Sequence, residues 1–216
     1  MNTALLLTLI RAMQFLFAVV WSVVSLHSVR ALRMVGCLWI VLGVYWAGSA
    51  LRQKATKKEE HFIERLRHLV PVMVAFFLLS QSDASYGWLG LRFVPERGTL
   101  NLLGLVLAGA GVAFAIWARG RLGRNWSAAV SIREQHDLIR TGPYRAVRHP
   151  IYTGLLLAIM GTALIVGEFR ALLAFAIALA SFYLKARKED AWLAREFGET
   201  FEGHAMQTGL FLPRFS

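Results

Sequence analysis

The sequence predicts an all-α, polytopic integral membrane protein with five to six transmembrane helices and a C-terminal helical hairpin. Three observations predict it. Of the 216 residues, 56% are hydrophobic, and the mean hydropathy is +0.50. Charged residues make up only 17%, where a soluble domain carries about a quarter. Those charges gather between long apolar runs, the pattern of helices crossing a bilayer rather than of a water-soluble core.

Residues 4–26 form the first apolar run, within which Arg11 and Gln14 are expected to snorkel or face another helix. No basic residues precede this run as they would in a secretion signal, so it reads as a retained first helix. Residues 34–51 form a second span, with Gly36, Gly43 and Gly48 permitting close helix approach. A charged stretch, 52–68, follows. The apolar run 69–80 is shorter than the roughly 20 residues that cross the hydrocarbon. It is expected to continue towards Trp88 or to tilt into the interface.

Pro95 and Gly98 then mark a turn. Residues 100–117 are a clear span in which Ala108-Gly109-Ala110-Gly111 suits tight packing. Residues 119–149 differ in kind: they are rich in Arg and contain the helix breakers Gly142 and Pro143. The short apolar runs 151–166 and 171–184, joined by Gly167-Glu168-Phe169-Arg170, predict a hairpin whose second arm extends into 187–197. The chain thus divides into N-terminal transmembrane helices, 1–118, and a C-terminal half, 119–216.

The formal net charge of +11 would suit a nucleic-acid partner. The Lys and Arg residues flank apolar runs, however, where they meet cytosolic water and anionic headgroups, so membrane lipids are the expected partner and nucleic acid is not. The stretches 52–67, 119–148 and 185–195 are basic and are expected in the cytosol, whereas 83–98 and 167–170 are nearly neutral. Six spans would put both termini inside. Arg30 and Arg33, in the outer first loop of that scheme, leave five spans with an external N-terminus open. Cys37 is the sole cysteine, which excludes an intramolecular disulfide and a cysteine-based zinc site. With no His-Glu-x-x-His pattern and no phosphate-cradling Gly loop, no metal is expected.

The chemistry-bearing residues cluster at both ends of the hairpin. Pro150 suits the first turn of a helix, where its missing N–H costs nothing, so His149 would sit at the helix start with Tyr152 near the same face. That helix start also favours anionic groups. Beyond the last apolar run comes Lys185-Ala186-Arg187-Lys188-Glu189-Asp190, whose carboxylates can accept hydrogen bonds from a cofactor's hydroxyl or amino groups. By composition alone these residues serve equally as topology anchors, an aromatic belt and solvated charge.

The ordered set of motifs resembles the isoprenylcysteine carboxyl methyltransferase family, and the related phospholipid N-methyltransferases share its general pattern. The set comprises Gly123-Arg124-Asn125-Trp126, then His136-Asp137-Leu138-Ile139 leading to Gly142 and Tyr144, then Arg148-His149-Pro150-Ile151-Tyr152-Thr153-Gly154. Glu189, Asp190, Leu193, Phe197-Gly198 and Gly209-Leu210-Phe211-Leu212-Pro213 complete it. Asp190 stands where the family has Glu, and Phe201 and His204 where tyrosines are usual.

The resemblance implies a C-terminal half wrapped around S-adenosylmethionine on the cytosolic face. Its pocket would include His136, Gly142, Tyr144, His149, Tyr152, Glu189 and Asp190. Arg187, with Arg145 and Arg148, would orient an acceptor carboxylate, whereas an amine acceptor would need His149 or Glu189 as base. The acceptor is expected to be a lipid or prenylated substrate within the bilayer. Alternatives are a phospholipid N-methyltransferase, a small-thiol S-methyltransferase, a sterol-reductase-like NADPH enzyme and a non-catalytic membrane protein.

Overall fold

The computed structural model describes residues 30–50, 62–80, 87–123 and 138–214. The run 4–26, Asn125 and His136 lie outside the described residues. Six α-helices fill most of the rest: α1 (Arg30–Ala50), α2 (Phe62–Ser80), α3 (Gly98–Leu122), α4 (Pro150–Val166), α5 (Phe169–Phe197) and α6 (Glu199–Gln207). There is no strand among the described residues, only isolated bridges pairing Arg92 with Glu168 and Val147 with Gly209. Arg30–Ser49, Gly98–Leu122 and Phe169–Phe197 are long and apolar enough to cross a membrane, while Leu66–Ser80 and Pro150–Val166 are apolar but shorter. The protein is an integral membrane protein.

The expected hairpin is α4 and α5. Gly167 closes α4 in the left-handed region (φ 69°), and its N–H donates to Ala163 O at 2.8 Å. As expected, the second arm runs on without a break past the apolar stretch to Phe197. The helices α3 and α4 pack antiparallel along facing small residues. A Cβ added at Gly111 would lie 2.5 Å from Ala158 N, and one at Gly154 would lie 2.6 Å from Ala115 N. Without side chains there, the backbones meet closely enough for dispersion to replace the hydrophobic drive that lipid does not supply.

Helix α1 runs parallel to α3, since Tyr45 donates to Ile116 O (3.5 Å) and Arg119 to Ser49 O (3.3 Å). Helix α2 runs antiparallel to α5, because Arg170 donates to Leu78 O and Ser181 to His68 O (3.2 Å). Deep in the bundle, Trp39 Nε1 donates to Thr162 Oγ1 at 3.1 Å, and its ring meets Phe76 edge-on. These directions bring the ends of α1 and α3, the starts of α2 and α4 and the charged extension of α5 to one end of the bundle. Residues 87–97 and 167–168 lie at the other.

Candidate active site

His149 precedes the first turn of α4, with Pro150 behind it as the pattern predicts. The extension of α5 brings Glu189 and Asp190 to the same place. His149 Nε2 lies 2.8 Å from Asp190 Oδ1, and Nδ1 lies 3.3 Å from Glu189 Oε2. With a carboxylate at each ring nitrogen, only the doubly protonated imidazolium can donate to both. Burial disfavours that charge, but the hydrogen bonds and negative charges of Asp190 and Glu189 outweigh it, and the His149 pKa is pushed up to about 9.

Tyr152, one turn into α4, donates its hydroxyl to Glu189 Oε1 at 2.7 Å. Its ring stacks on His149 (5.6 Å between centroids) and, on the membrane side, on Phe182 (5.1 Å). Phe211 meets both His149 and Tyr152 edge-on at 6.5 Å, and Lys185 Nζ lies 5.9 Å from the Tyr152 centroid. The ionic cluster therefore merges with a column of rings leading into the apolar core.

The chain's end ties this cluster together. Arg148 donates to Asp190 Oδ2 (3.1 Å), Ala205 O (3.0 Å) and Thr208 O. Backbone bonds from Arg148 to Gly209 O (2.9 Å) and from His149 to Leu210 O (3.1 Å) lay residues 209–211 along the start of α4. Thr153 Oγ1 donates to Phe211 O at 2.7 Å. Thr208 and Ala205 carry no side-chain signature that sequence reading could have used; only the neighbouring Gly209-Leu210-Phe211 motif pointed there.

The turn before α4 supplies Tyr144. Gly142 adopts φ 61°, which starts the short 3-10 turn Gly142–Arg145 and lets the Tyr144 ring pack on Ala118 and Ile151. Its hydroxyl is buried and has no hydrogen-bond partner among the described residues. Burial and then the charge of Glu189 raise its pKa, partly opposed by Arg119. A buried hydroxyl left without a partner costs about 1–3 kcal/mol, which a ligand group would recover.

Of the sequence-predicted site residues, the structure brings together Tyr144, Arg148, His149, Tyr152, Glu189 and Asp190. It does not bring in Arg187 or Arg145, which are exposed. Arg187 precedes Glu189 by two positions and so lies across α5 from it. Lys185, Phe182 and Phe211 join the site although the motif reading gave none of them a role in it. The spacing of Lys185 from Glu189, four positions on one helix, was the available signal.

Residues 100–200 match the phospholipid methyltransferase family. The chain is 34% identical over 147 residues to the cobalt-zinc-cadmium resistance protein CzcN of Cupriavidus metallidurans, covering 67% of this chain and 62% of that protein. It is 31% identical over 123 residues to a probable protein-S-isoprenylcysteine O-methyltransferase of Oryza sativa subsp. indica, covering 56% of this chain and 64% of that one. The match thus spans under two thirds of either relative. The solved structure of a eukaryotic intramembrane Ras methyltransferase, isoprenylcysteine carboxyl methyltransferase, superposes with a TM-score of 0.55 at 20% identity, over 91% of this chain and 72% of that one.

Fold and site together define a polytopic helical membrane protein with the methyltransferase architecture. Its C-terminal half matches the phospholipid methyltransferase family, and the chain is similar in sequence to isoprenylcysteine O-methyltransferases and shares the fold of the solved one.

Proposed function

We propose that this protein is an integral membrane methyltransferase that uses S-adenosylmethionine and acts on a lipidic or prenylated acceptor, most naturally by carboxyl O-methylation of isoprenylcysteine type. The observation that carries this reading is the junction of the His149–Glu189–Asp190 cluster with the stacked Tyr152 and Phe182 rings. Charge suited to a water-soluble cofactor and aromatic surface suited to an apolar acceptor meet at one helix start.

The donor set fits the cofactor. Glu189 retains lone pairs beyond those facing Tyr152 and His149, and the Tyr144 hydroxyl lacks a protein partner. S-adenosylmethionine, when bound, supplies a methyl group activated on a sulfonium. Glu189, Tyr144, His149 and Tyr152 would hold it, with Gly142 shaping the turn. Both Asp190 oxygens face protein donors, so its part is to position His149 and Arg148.

His149 also bears on the acceptor. Held as the imidazolium at neutral pH, it is not a base, so an amine acceptor would have to rely on the Glu189 carboxylate. A carboxylate is nucleophilic already, so the site need only orient it and exclude water. Arg148 is committed to Asp190 and the chain end, and Arg187 and Arg145 lie outside the cluster, so they would attract an acid by longer-range charge rather than hold it.

The test is transfer from methyl-labelled S-adenosylmethionine by protein in lipid vesicles, offered a farnesylated cysteine derivative, phosphatidylethanolamine or a small thiol. Base-labile label on the prenylated acid is expected. Base-stable label on the phospholipid amine would replace this reading by N-methylation, and no transfer to any acceptor would remove it.

The positive-inside rule places the site at the cytosolic face. In a Cys37→Ser background, a cysteine at Glu96 should react with an impermeant thiol reagent from outside, and one at Arg145 should not. The reverse pattern would overturn this placement.

A further inference from the structure

The bundle end opposite the site carries an exposed apolar surface that the methyl-transfer reading does not use. Trp88 is 68% exposed and Leu91 60% exposed, with Phe169 beside them. The Trp88 and Phe93 rings lie 6.4 and 5.9 Å from Phe169. This surface is rigidly held. Phe93 N–H donates to Gly167 O at 2.9 Å, and Phe169 N–H donates to Leu91 O at 3.0 Å, around the bridge between Arg92 and Glu168. The Arg92 guanidinium donates to Val166 O (3.1 Å) and Val94 O (3.2 Å), tying the segment to the end of α4.

We infer that Trp88, Leu91 and Phe169 form a platform seated in the interface of the far leaflet, which fixes the depth of the α4–α5 hairpin. The surface adjoins the end of α4 and the starts of α3 and α5, all apolar helices of the bundle. It therefore continues their lipid-facing surface at the level where indole and phenyl rings favour the headgroup boundary. Arg92 and Arg97 in the same segment suit the polar side of that boundary.

The consequence lies at the other end. Helix α4 has 17 residues, which span about 25 Å, roughly 5 Å less than the hydrocarbon core of about 30 Å. With its far end held at the interface, its near end stops short of the opposite boundary. His149 and Glu189 then sit beneath the headgroups, at the level of a bilayer-borne reactive group.

Site-directed nitroxides on the full chain in phosphatidylcholine vesicles test this, with oxygen as the apolar relaxant and a nickel chelate as the aqueous one. In the Cys37→Ser background, a label on Leu91→Cys should be reached by both reagents, the interfacial signature. A label on Arg187→Cys should likewise be reached by both reagents rather than read as free in water. The double substitution Trp88→Gln with Phe169→Gln should abolish the interfacial reading at Leu91. A Leu91 label that reads as free in water, or one unmoved by the double substitution, would overturn the platform. An Arg187 label that reads as water would overturn the depth. None of these readouts involves methyl transfer, so their failure is separable from failure of the proposed function.

Discussion

His149 Nε2 lies 2.8 Å from Asp190 Oδ1, a contact that crosses 41 positions of sequence and joins the start of one hairpin arm to the end of the other. The pairing sets a pH dependence. The His149 pKa rises from 6.5 to about 9 on folding, so the folded protein binds this proton more tightly than the unfolded chain. The stabilisation is complete below a pH of about 6.5 and is lost as pH rises through about 9. Thermal midpoints in detergent should fall across that window in the parent and much less in His149→Gln. Parallel curves would contradict the ion-paired imidazolium.

Arg148 should act on the chain end. Its guanidinium links Asp190 to the carbonyls of Ala205 and Thr208. Arg148→Ala should cost about 1–3 kcal/mol, the scale for losing charge-assisted hydrogen bonds. It should also make residues after α6 an early site of limited proteolysis. Arg148→Lys should rescue little, because an ammonium lacks the planar fork that reaches several acceptors at once. Full protection by lysine would show that only the charge matters.

The α3–α4 seam should tolerate no added carbon. Gly111→Ala places a Cβ against the α4 backbone, so the helices must move apart, at a cost of about 1–3 kcal/mol by unfolding in detergent. Gly48→Ala, with nothing within 4 Å, should instead be neutral or stabilising by up to about 1 kcal/mol. Equal effects at the two positions would mean that the seam is not closely packed.

The hairpin and the pairing of its ends were legible because their causes are local. Pro150 after His149 marks a helix start, Gly167 marks the turn, and apolar runs of similar length return the chain to the same side. The lengths of α2 and α3 were not. Phe62–Ser80 is a single helix because its charged first turns continue the apolar run, and hydropathy is silent on helical charge. The commitment of Arg148 was hidden for a different reason: its partners at Ala205 and Thr208 are backbone carbonyls, which every residue carries. Arg187 attracted attention by its spacing from the acids, but helical geometry turns it outward.

Tyr144 separates a ligand contact from a structural one. Its hydroxyl has no hydrogen-bond partner among the described residues, so Tyr144→Phe should leave the melting midpoint equal or raised. Cofactor affinity should fall by roughly tenfold, equivalent to about 1.4 kcal/mol. A lower midpoint with unchanged affinity would assign the hydroxyl to folding instead.

The most direct test of a cofactor pocket at the hairpin ends is calorimetry of the purified protein in detergent with S-adenosylmethionine, its demethylated product and NADPH. The parent should bind the first two and not the third. His149→Ala and Glu189→Ala should each weaken binding by about 1–3 kcal/mol, the scale for a charge-assisted hydrogen bond. Glu96→Ala, at the opposite end of the bundle, should match the parent. Binding of NADPH alone, or full affinity in both His149→Ala and Glu189→Ala, would contradict the account.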